Sequence, residues 1–194
     1  MKTFFKMYKQ LAKSLAKPDI ILLLLAVILL FNLLIFPYFS GICTGKNIKP
    51  SAGMLDTKIH YSAKDVETFL SSKTKAEKKC SILVHLTADA VYPVIYSVFL
   101  SILVSLLGTR LKLSNAVYTF ITAFPLFILI SDYLENAFIV ILLAGSKARL
   151  DTLARPLAYI TPVVTTIKWS FVLINLLILV VLTVVRIYRS VKAR

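Results

Sequence analysis

The chain has 194 residues, of which 58% are hydrophobic, with a mean hydropathy of +0.83 and a formal net charge of +14. This composition leaves too little polar surface for a water-soluble globule and predicts an integral membrane protein. The basic residues are spread over all polar segments and form no stripe with stacking aromatics. That distribution favours contact with anionic lipids and excludes a nucleic-acid-binding protein.

Four apolar runs are long enough to cross a hydrocarbon core of about 30 Å, which takes about 20 helical residues. They cover residues 19–41, 82–107, 116–145 and 157–185, numbered here as spans 1 to 4. The runs are continuous rather than alternating, which favours helices over a β-barrel. The first run is longer than the apolar region of a signal peptide, and no small-residue cleavage site follows it. The sequence therefore predicts an all-α membrane protein, a four-transmembrane-helix bundle forming a single integral membrane domain over residues 1–194.

The polar head of the chain predicts an amphipathic helix. Phe4, Tyr8, Leu11 and Leu15 recur at steps of four, three and four, and lysines occupy another face. We expect this helix to lie on the cytoplasmic leaflet before Pro18 begins span 1. It is either a basic topology anchor or a lipid-sensing element.

Topology follows from the basic residues near the spans. The head, the turn at residues 108–115 and the tail at residues 186–194 are basic, and four spans place them on one side. We therefore expect a multi-pass membrane protein with both termini in the cytoplasm. The outer loop, residues 42–81, is also rich in lysine, but its acids partly offset that charge.

The outer loop has an irregular half followed by a helical half. Ser62 and Asp65 form a capping-box-like start, and Val66, Phe69 and Leu70 give the helix a short apolar edge. The only two cysteines, Cys43 and Cys80, stand at the ends of this loop. They form a disulfide if the loop lies in an oxidising compartment, and otherwise they are two separate thiols.

Span 3 carries acids in its middle, in the stretch "ISDYLENAF". A carboxylate at the centre of a spanning helix costs about 2.5 to 3.5 kcal/mol on insertion scales, while each large apolar residue returns about 0.3 to 0.6 kcal/mol. The span can therefore insert with Asp132 and Glu135. We expect both side chains to point away from lipid.

Spans 2 and 4 also carry polar stripes at helical spacing, including His85 and Asp89 in span 2 and Thr161, Thr165 and Lys168 in span 4. We expect one buried polar cluster in which Lys168 neutralises a carboxylate and His85 pairs with Asp89. Span 1 mostly faces lipid, and its Asn32 is expected to make a single interhelical hydrogen bond. The candidate site consists of His85, Asp89, Tyr92, Asp132, Glu135, Asn136 and Lys168.

Two short motifs carry a resemblance. Span 2 contains D-x-x-Y-P-x-x-Y, from Asp89 to Tyr96, and span 3 contains D-x-x-E-N, from Asp132 to Asn136. Together with the preceding "LDTKIHYSAKDVETFL" they resemble small bacterial multi-span membrane proteins. The resemblance implies a bacterial inner membrane and no particular activity.

Three functions fit the cluster. It is a structural or accessory element, or a proton or ion relay in which Pro93, Pro125 and Pro162 break the helices, or the site of an intramembrane enzyme that acts on a lipid. We expect no metal or cofactor, since one histidine lies in a span and no H-E-x-x-H, G-x-S-x-G, C-x-x-C or phosphate-binding glycine loop occurs. These observations favour a non-enzymatic role. The predicted partners are the lipid bilayer with its anionic lipids and either a second copy of the chain or a partner membrane subunit.

Overall fold

The computed structural model describes residues 2–44, 55, 58–145 and 155–192. These residues are helical apart from short turns and contain no strand. The helices, in chain order, are α1 (Lys2–Ser14), α2 (Pro18–Leu30), a π-helical turn (Phe31–Ile35), α3 (Phe36–Thr44), α4 (Ala63–Ser72), α5 (Lys75–Leu86), α6 (Ala88–Arg110), α7 (Asn115–Ala123), α8 (Pro125–Ala144) and α9 (Arg155–Lys192).

Four helical segments of the described chain are long and apolar enough to cross a membrane: Pro18–Cys43, Lys75–Arg110, Asn115–Ala144 and Arg155–Lys192. The prediction of an all-α chain with four such segments is therefore confirmed. The helices are longer than the apolar runs that predicted them, because their polar ends are also helical. The second segment begins at Lys75, where Thr74 caps α5 in a capping box with Glu77, and the loop is correspondingly shorter than residues 42–81.

The helical segments are interrupted at fewer prolines than expected. Pro125 opens α8, a position where a proline does no harm because the first-turn N–H has no helical partner. Pro93 and Pro162 lie inside α6 and α9, which continue through them, so the expectation that all three prolines break helices is wrong. A further interruption falls at Thr87, between α5 and α6.

The chain forms two compact units. Unit 1 comprises Met1–Ile28, Val94–Leu129 and Ser170–Arg194, and unit 2 comprises Leu29–Pro93 and Ile130–Trp169. Unit 1 holds eleven Lys and Arg residues but a single acid, Asp19. The other eight acids belong to unit 2, so the two units differ sharply in charge.

In unit 1, α1 packs against α7. The Tyr8 hydroxyl lies 2.7 Å from Ser101 Oγ, and Lys9 Nζ donates to Asn115 Oδ1 over 2.6 Å. The predicted apolar face of the head helix is therefore divided. Tyr8 turns into the unit, and burial raises its pKa above the ordinary value. Phe4 and Leu11 stay exposed, together with Met7.

The interior of unit 1 is built from Val104, Leu111, Ile121 and Leu182. Gly108 allows α6 to approach the ring of Tyr118 closely, since a Cβ at this position would lie 2.8 Å from Tyr118 Cδ2. The Tyr118 hydroxyl in turn bonds with Ser105 Oγ over 2.5 Å. A small residue on α6 thus positions the ring and its hydrogen bond.

In unit 2, Leu55 and residues 58–72, together called the α4 segment, pack onto α8 and α9. Its core residues and the helix residues they meet are Leu55, Tyr61, Val66 and Phe69 with Ile139, Leu142, Leu143 and Ala158. The predicted capping box of Ser62 and Asp65 is confirmed. The helical half of the loop, however, consists of two helices rather than one, because Lys73 is extended and Thr74 starts α5.

A disulfide joins Cys43 at the end of α3 to Cys80 in α5, with the two Cα atoms 5.3 Å apart. Cys43 is buried against Val84 and Ala88, among aromatic residues of the first apolar segment. The bond closes a loop of the chain that contains α4. It thereby fixes the ends of the segment that packs over the polar interior of unit 2.

Candidate functional site

A buried ion-pair group lies between α8 and α9 in unit 2. Lys168 Nζ is 2.5 Å from Glu135 Oε2 and 3.6 Å from Asp132 Oδ1. The two acids are three residues apart on α8 and so face the same side of that helix. Glu135 is 0% exposed, and Asp132 and Lys168 are 6% and 7% exposed. The Lys168 ammonium group therefore contacts two buried carboxylates.

A chain of hydroxyl groups leads from the α4 segment to this ion pair. Thr165 Oγ1 donates to Glu135 Oε1 over 2.5 Å, and the Tyr61 hydroxyl lies 2.8 Å from Thr165 Oγ1. Thr165 Oγ1 is also 3.0 Å from the Thr161 carbonyl oxygen. A hydroxyl has one proton, so it donates to the carboxylate or to the carbonyl but not fully to both.

Tyr61 was not among the residues predicted from the sequence. It precedes Ser62 in the loop, far along the chain from the acids, and its buried hydroxyl forms no helical pattern with them. The only sequence signal is an aromatic residue immediately before a helix cap, which is common at surface helices. Packing of the α4 segment onto α8 and α9 brings it to the site.

His85 and Asp89 form a second buried pair. His85 Nδ1 lies 2.8 Å from Asp89 Oδ2, and both side chains are buried. The predicted four-residue spacing holds even though Thr87 interrupts the helix between them. The imidazole Nδ1–H can donate this hydrogen bond to the carboxylate whether the ring is neutral or protonated.

Asn136 bonds to the backbone of α6 rather than to an acid. Its Nδ2 donates to the Asp89 carbonyl oxygen over 3.3 Å, and the Tyr133 hydroxyl donates to the Ala90 carbonyl over 2.7 Å. Pro93 has no N–H and lies four residues after Asp89, so it leaves that carbonyl without its helical donor. Side chains of α8 thus supply donors where the proline removes one.

Tyr92 is directed to the first apolar segment. Asn32 Nδ2 donates to its hydroxyl over 2.7 Å, so Asn32 makes an interhelical hydrogen bond as expected. The Tyr92 ring stacks on Phe31 and meets Phe36 edge-on. The sequence grouped Tyr92 with the acids by spacing alone, whereas the structure gives it this additional set of partners.

Charge in this group is unbalanced in favour of acids. Within the described part of the chain, Lys168 is the only buried lysine or arginine, and His85 the only buried histidine. Three buried carboxylates, those of Asp89, Asp132 and Glu135, face these two groups. Ionised carboxylates in a low-dielectric interior are costly, and those of Asp132 and Glu135 share one ammonium group, which couples them. Such coupled groups take up and release protons as a unit.

Metal ligation requires several suitable side chains at one point. No group of three or more His, Cys, Asp or Glu residues positioned to hold a metal ion is found among the residues that the structure describes. The His85 and Asp89 pair offers two ligand types that metals use, and the other acids are engaged with Lys168 and Thr165. The carboxyl, ammonium and hydroxyl groups that meet here are able to hydrogen-bond and to exchange protons.

Comparison with known proteins gives no further assignment. No protein-family model, curated protein or solved structure matches the chain.

Proposed function

We propose that the chain is a four-span protein of a bacterial inner membrane with both termini in the cytoplasm. Two observations support this orientation. The head, the turn at residues 108–115 and the tail are short polar segments with basic residues close to the spans, the kind of segment to which the positive-inside rule applies. Unit 2 holds the disulfide, a bond that persists in the bacterial periplasm and is rare in the cytoplasm.

Its proposed activity is non-enzymatic: the buried cluster takes up and releases protons as part of a proton- or ion-transport component. The observation that carries this proposal is the contact of one ammonium group with two buried carboxylates, Glu135 and Asp132. A purely structural ion pair needs one acid for each base. Burying a third carboxylate, where the described residues supply two buried basic groups, costs several kcal/mol if it is ionised, which is more than the roughly 0.6 kcal/mol of an average interhelical hydrogen bond.

The hydroxyl chain offers Glu135 two hydrogen-bonding arrangements. With Glu135 ionised, Tyr61 donates to Thr165, and Thr165 donates to Oε1. With a proton on Oε1, Glu135 donates to Thr165, whose own proton turns to the Thr161 carbonyl. Both arrangements use existing oxygen positions, so the hydroxyl groups accommodate either protonation state of Glu135 by rotating, without movement of the helices.

A pathway through four helices alone is narrow. The proposal therefore includes a second copy of the chain or a partner membrane subunit, and contact with anionic lipids. Co-purification and cross-linking from the native membrane would identify such a partner.

The proposal is tested by reconstituting the full chain in liposomes with an internal pH-sensitive dye and imposing a potassium diffusion potential. Wild type should conduct protons, and Glu135→Gln should abolish the flux. Glu67→Gln is the matched control, because Glu67 lies on the exposed side of α4 in the same unit and should leave the flux unchanged. Size-exclusion chromatography and circular dichroism would establish that each variant is folded.

Infrared spectroscopy separates proton binding from proton transport. A pH-dependent carboxyl C=O band present in wild type and lost in Glu135→Gln would identify the exchanging group. Folded wild-type protein with neither flux nor band would refute the proposal and favour a structural or accessory role. A band without flux would restrict the function to proton binding.

A further inference from the structure

Unit 1 contains a groove that the proposed proton exchange does not use. The groove has a volume of about 370 Å³ and lies between the end of α6 and the last turns of α9. Its lining residues are Leu107, Thr183, Arg186, Ile187, Ser190 and Val191. The volume falls within the range of small-molecule sites, about 300 to 1,000 Å³.

The lining combines one cation with hydroxyl groups and apolar walls. Arg186 is half-buried, and its planar guanidinium group can donate two parallel hydrogen bonds to a phosphate. The Ser190 hydroxyl is exposed one helical turn further on and can add a donor. Ile187 and Val191 are 59% and 68% exposed, which leaves their apolar side chains without cover in unit 1.

We infer that this groove binds the headgroup phosphate of an anionic phospholipid, with the lipid's glycerol and upper acyl chain on Ile187 and Val191. Charge complementarity favours an anion, because unit 1 holds eleven basic residues and one acid. The apolar walls favour a lipid over a free phosphate ion, which would leave them in water. The inference rests on the proposed membrane insertion and is independent of proton exchange.

Arg186 is the basic residue that lines the groove, whereas the neighbouring basic residues Arg189 and Lys192 do not line it. Arg189 donates from Nη1 to the Leu111 carbonyl over 2.8 Å and so ties the end of α9 to the turn after α6. Lys192 is exposed at the end of α9 and does not line the groove. Lys192→Gln is therefore a charge-matched control for Arg186→Gln.

The experiment measures lipid binding to the purified full chain in a neutral detergent by native mass spectrometry. Phosphatidylglycerol and phosphatidylcholine with the same acyl chains are compared, since detergent micelles present no charged surface. Wild type should prefer phosphatidylglycerol. Arg186→Gln should weaken that binding at least roughly tenfold, and Lys192→Gln should leave it unchanged. Melting curves would show that both variants are folded.

A second variant tests the apolar wall. Ile187→Ser should weaken phosphatidylglycerol binding while leaving the affinity for soluble glycerol phosphate unchanged. Equal losses in Arg186→Gln and Lys192→Gln would overturn the inference in favour of non-specific charge attraction. Displacement of the lipid by inorganic phosphate at similar concentration would also overturn it, since the ligand would then be the free anion. Because the assay contains no proton gradient, its result is separate from the test of Glu135.

Discussion

Asn136 and Pro93 are predicted to be energetically coupled through one backbone carbonyl. Pro93 removes the helical donor of the Asp89 carbonyl, and Asn136 Nδ2 supplies a replacement over 3.3 Å. Asn136→Leu keeps a similar volume but leaves that carbonyl without either donor. Asn136→Leu should lower the free energy of unfolding by about 1 to 3 kcal/mol, the cost of leaving a buried polar group without a hydrogen-bond partner.

The same substitution should cost less when residue 93 has an N–H. In a Pro93→Ala background the new backbone N–H donates to the Asp89 carbonyl, so Asn136→Leu removes only a surplus bond. Such bonds average about 0.6 kcal/mol in membrane proteins. The double-mutant cycle should therefore give a coupling of about 0.4 to 2.4 kcal/mol, the difference between these two costs.

The cycle is measured by equilibrium unfolding of the four proteins in mixed micelles with increasing sodium dodecyl sulfate, followed by circular dichroism. The effect of Asn136→Leu is taken separately with Pro93 and with Ala at position 93, so any packing change caused by Pro93→Ala alone cancels. An Asn136→Leu cost that is equal in the two backgrounds would refute the reasoning, because Pro93 and Asn136 would then act separately.

Three further predictions use the same unfolding assay or amide exchange. Lys168→Met should lower the free energy of unfolding by about 3 to 5 kcal/mol, because it removes the ammonium group that contacts two buried carboxylates. Glu135→Gln keeps that ammonium group beside Asp132 and should lower the free energy of unfolding by about 1 kcal/mol or less. Equal losses in the two variants would contradict this account. Cys43→Ser, or reduction of the disulfide to Cys80, should lower the free energy of unfolding by about 4 kcal/mol, because the disulfide closes a loop whose ends are 37 residues apart and so restricts the unfolded chain. An unchanged unfolding midpoint would contradict this prediction. The hydroxyl and the backbone N–H of Ser62, the N-cap residue, lower the pKa of Asp65 below its ordinary value. The ionised Asp65 carboxylate therefore stabilises α4 fully above its unfolded-state pKa of about 3.9, and this stabilisation is lost as the pH falls through the lower folded-state pKa. Amide exchange in α4, corrected for intrinsic rates, should therefore accelerate at acid pH in wild type, and Asp65→Asn should remove that change.

The four apolar segments could be predicted from sequence because length and composition alone define them. Their ends could not, since polar residues extend a helix wherever a cap is available. Thr74 and Glu77 provide such a cap, which places the start of α5 seven residues before the apolar run at residue 82. The same local logic correctly predicted the cap at Ser62, where the pattern lies within four consecutive residues.

The site was predictable where its residues share a helix and less so where it depends on tertiary packing. Helical spacing placed Asp132 beside Glu135, and His85 beside Asp89, because residues three or four apart face the same side. No such rule brings Tyr61 to Thr165, since that contact depends on how the α4 segment packs on α8 and α9.

Tyr61 also changes how the buried acids should be understood. Helical spacing alone describes a group of acids and bases within the long helices, whereas the structure connects Glu135 through Thr165 to a residue of the loop segment. That segment is held by its apolar core and by a disulfide near its ends. A packed loop segment and a disulfide thus cover a buried group in which, among the described residues, acids outnumber basic residues. A low-dielectric enclosure of this kind strengthens the hydrogen bonds and ion pairs of the buried group.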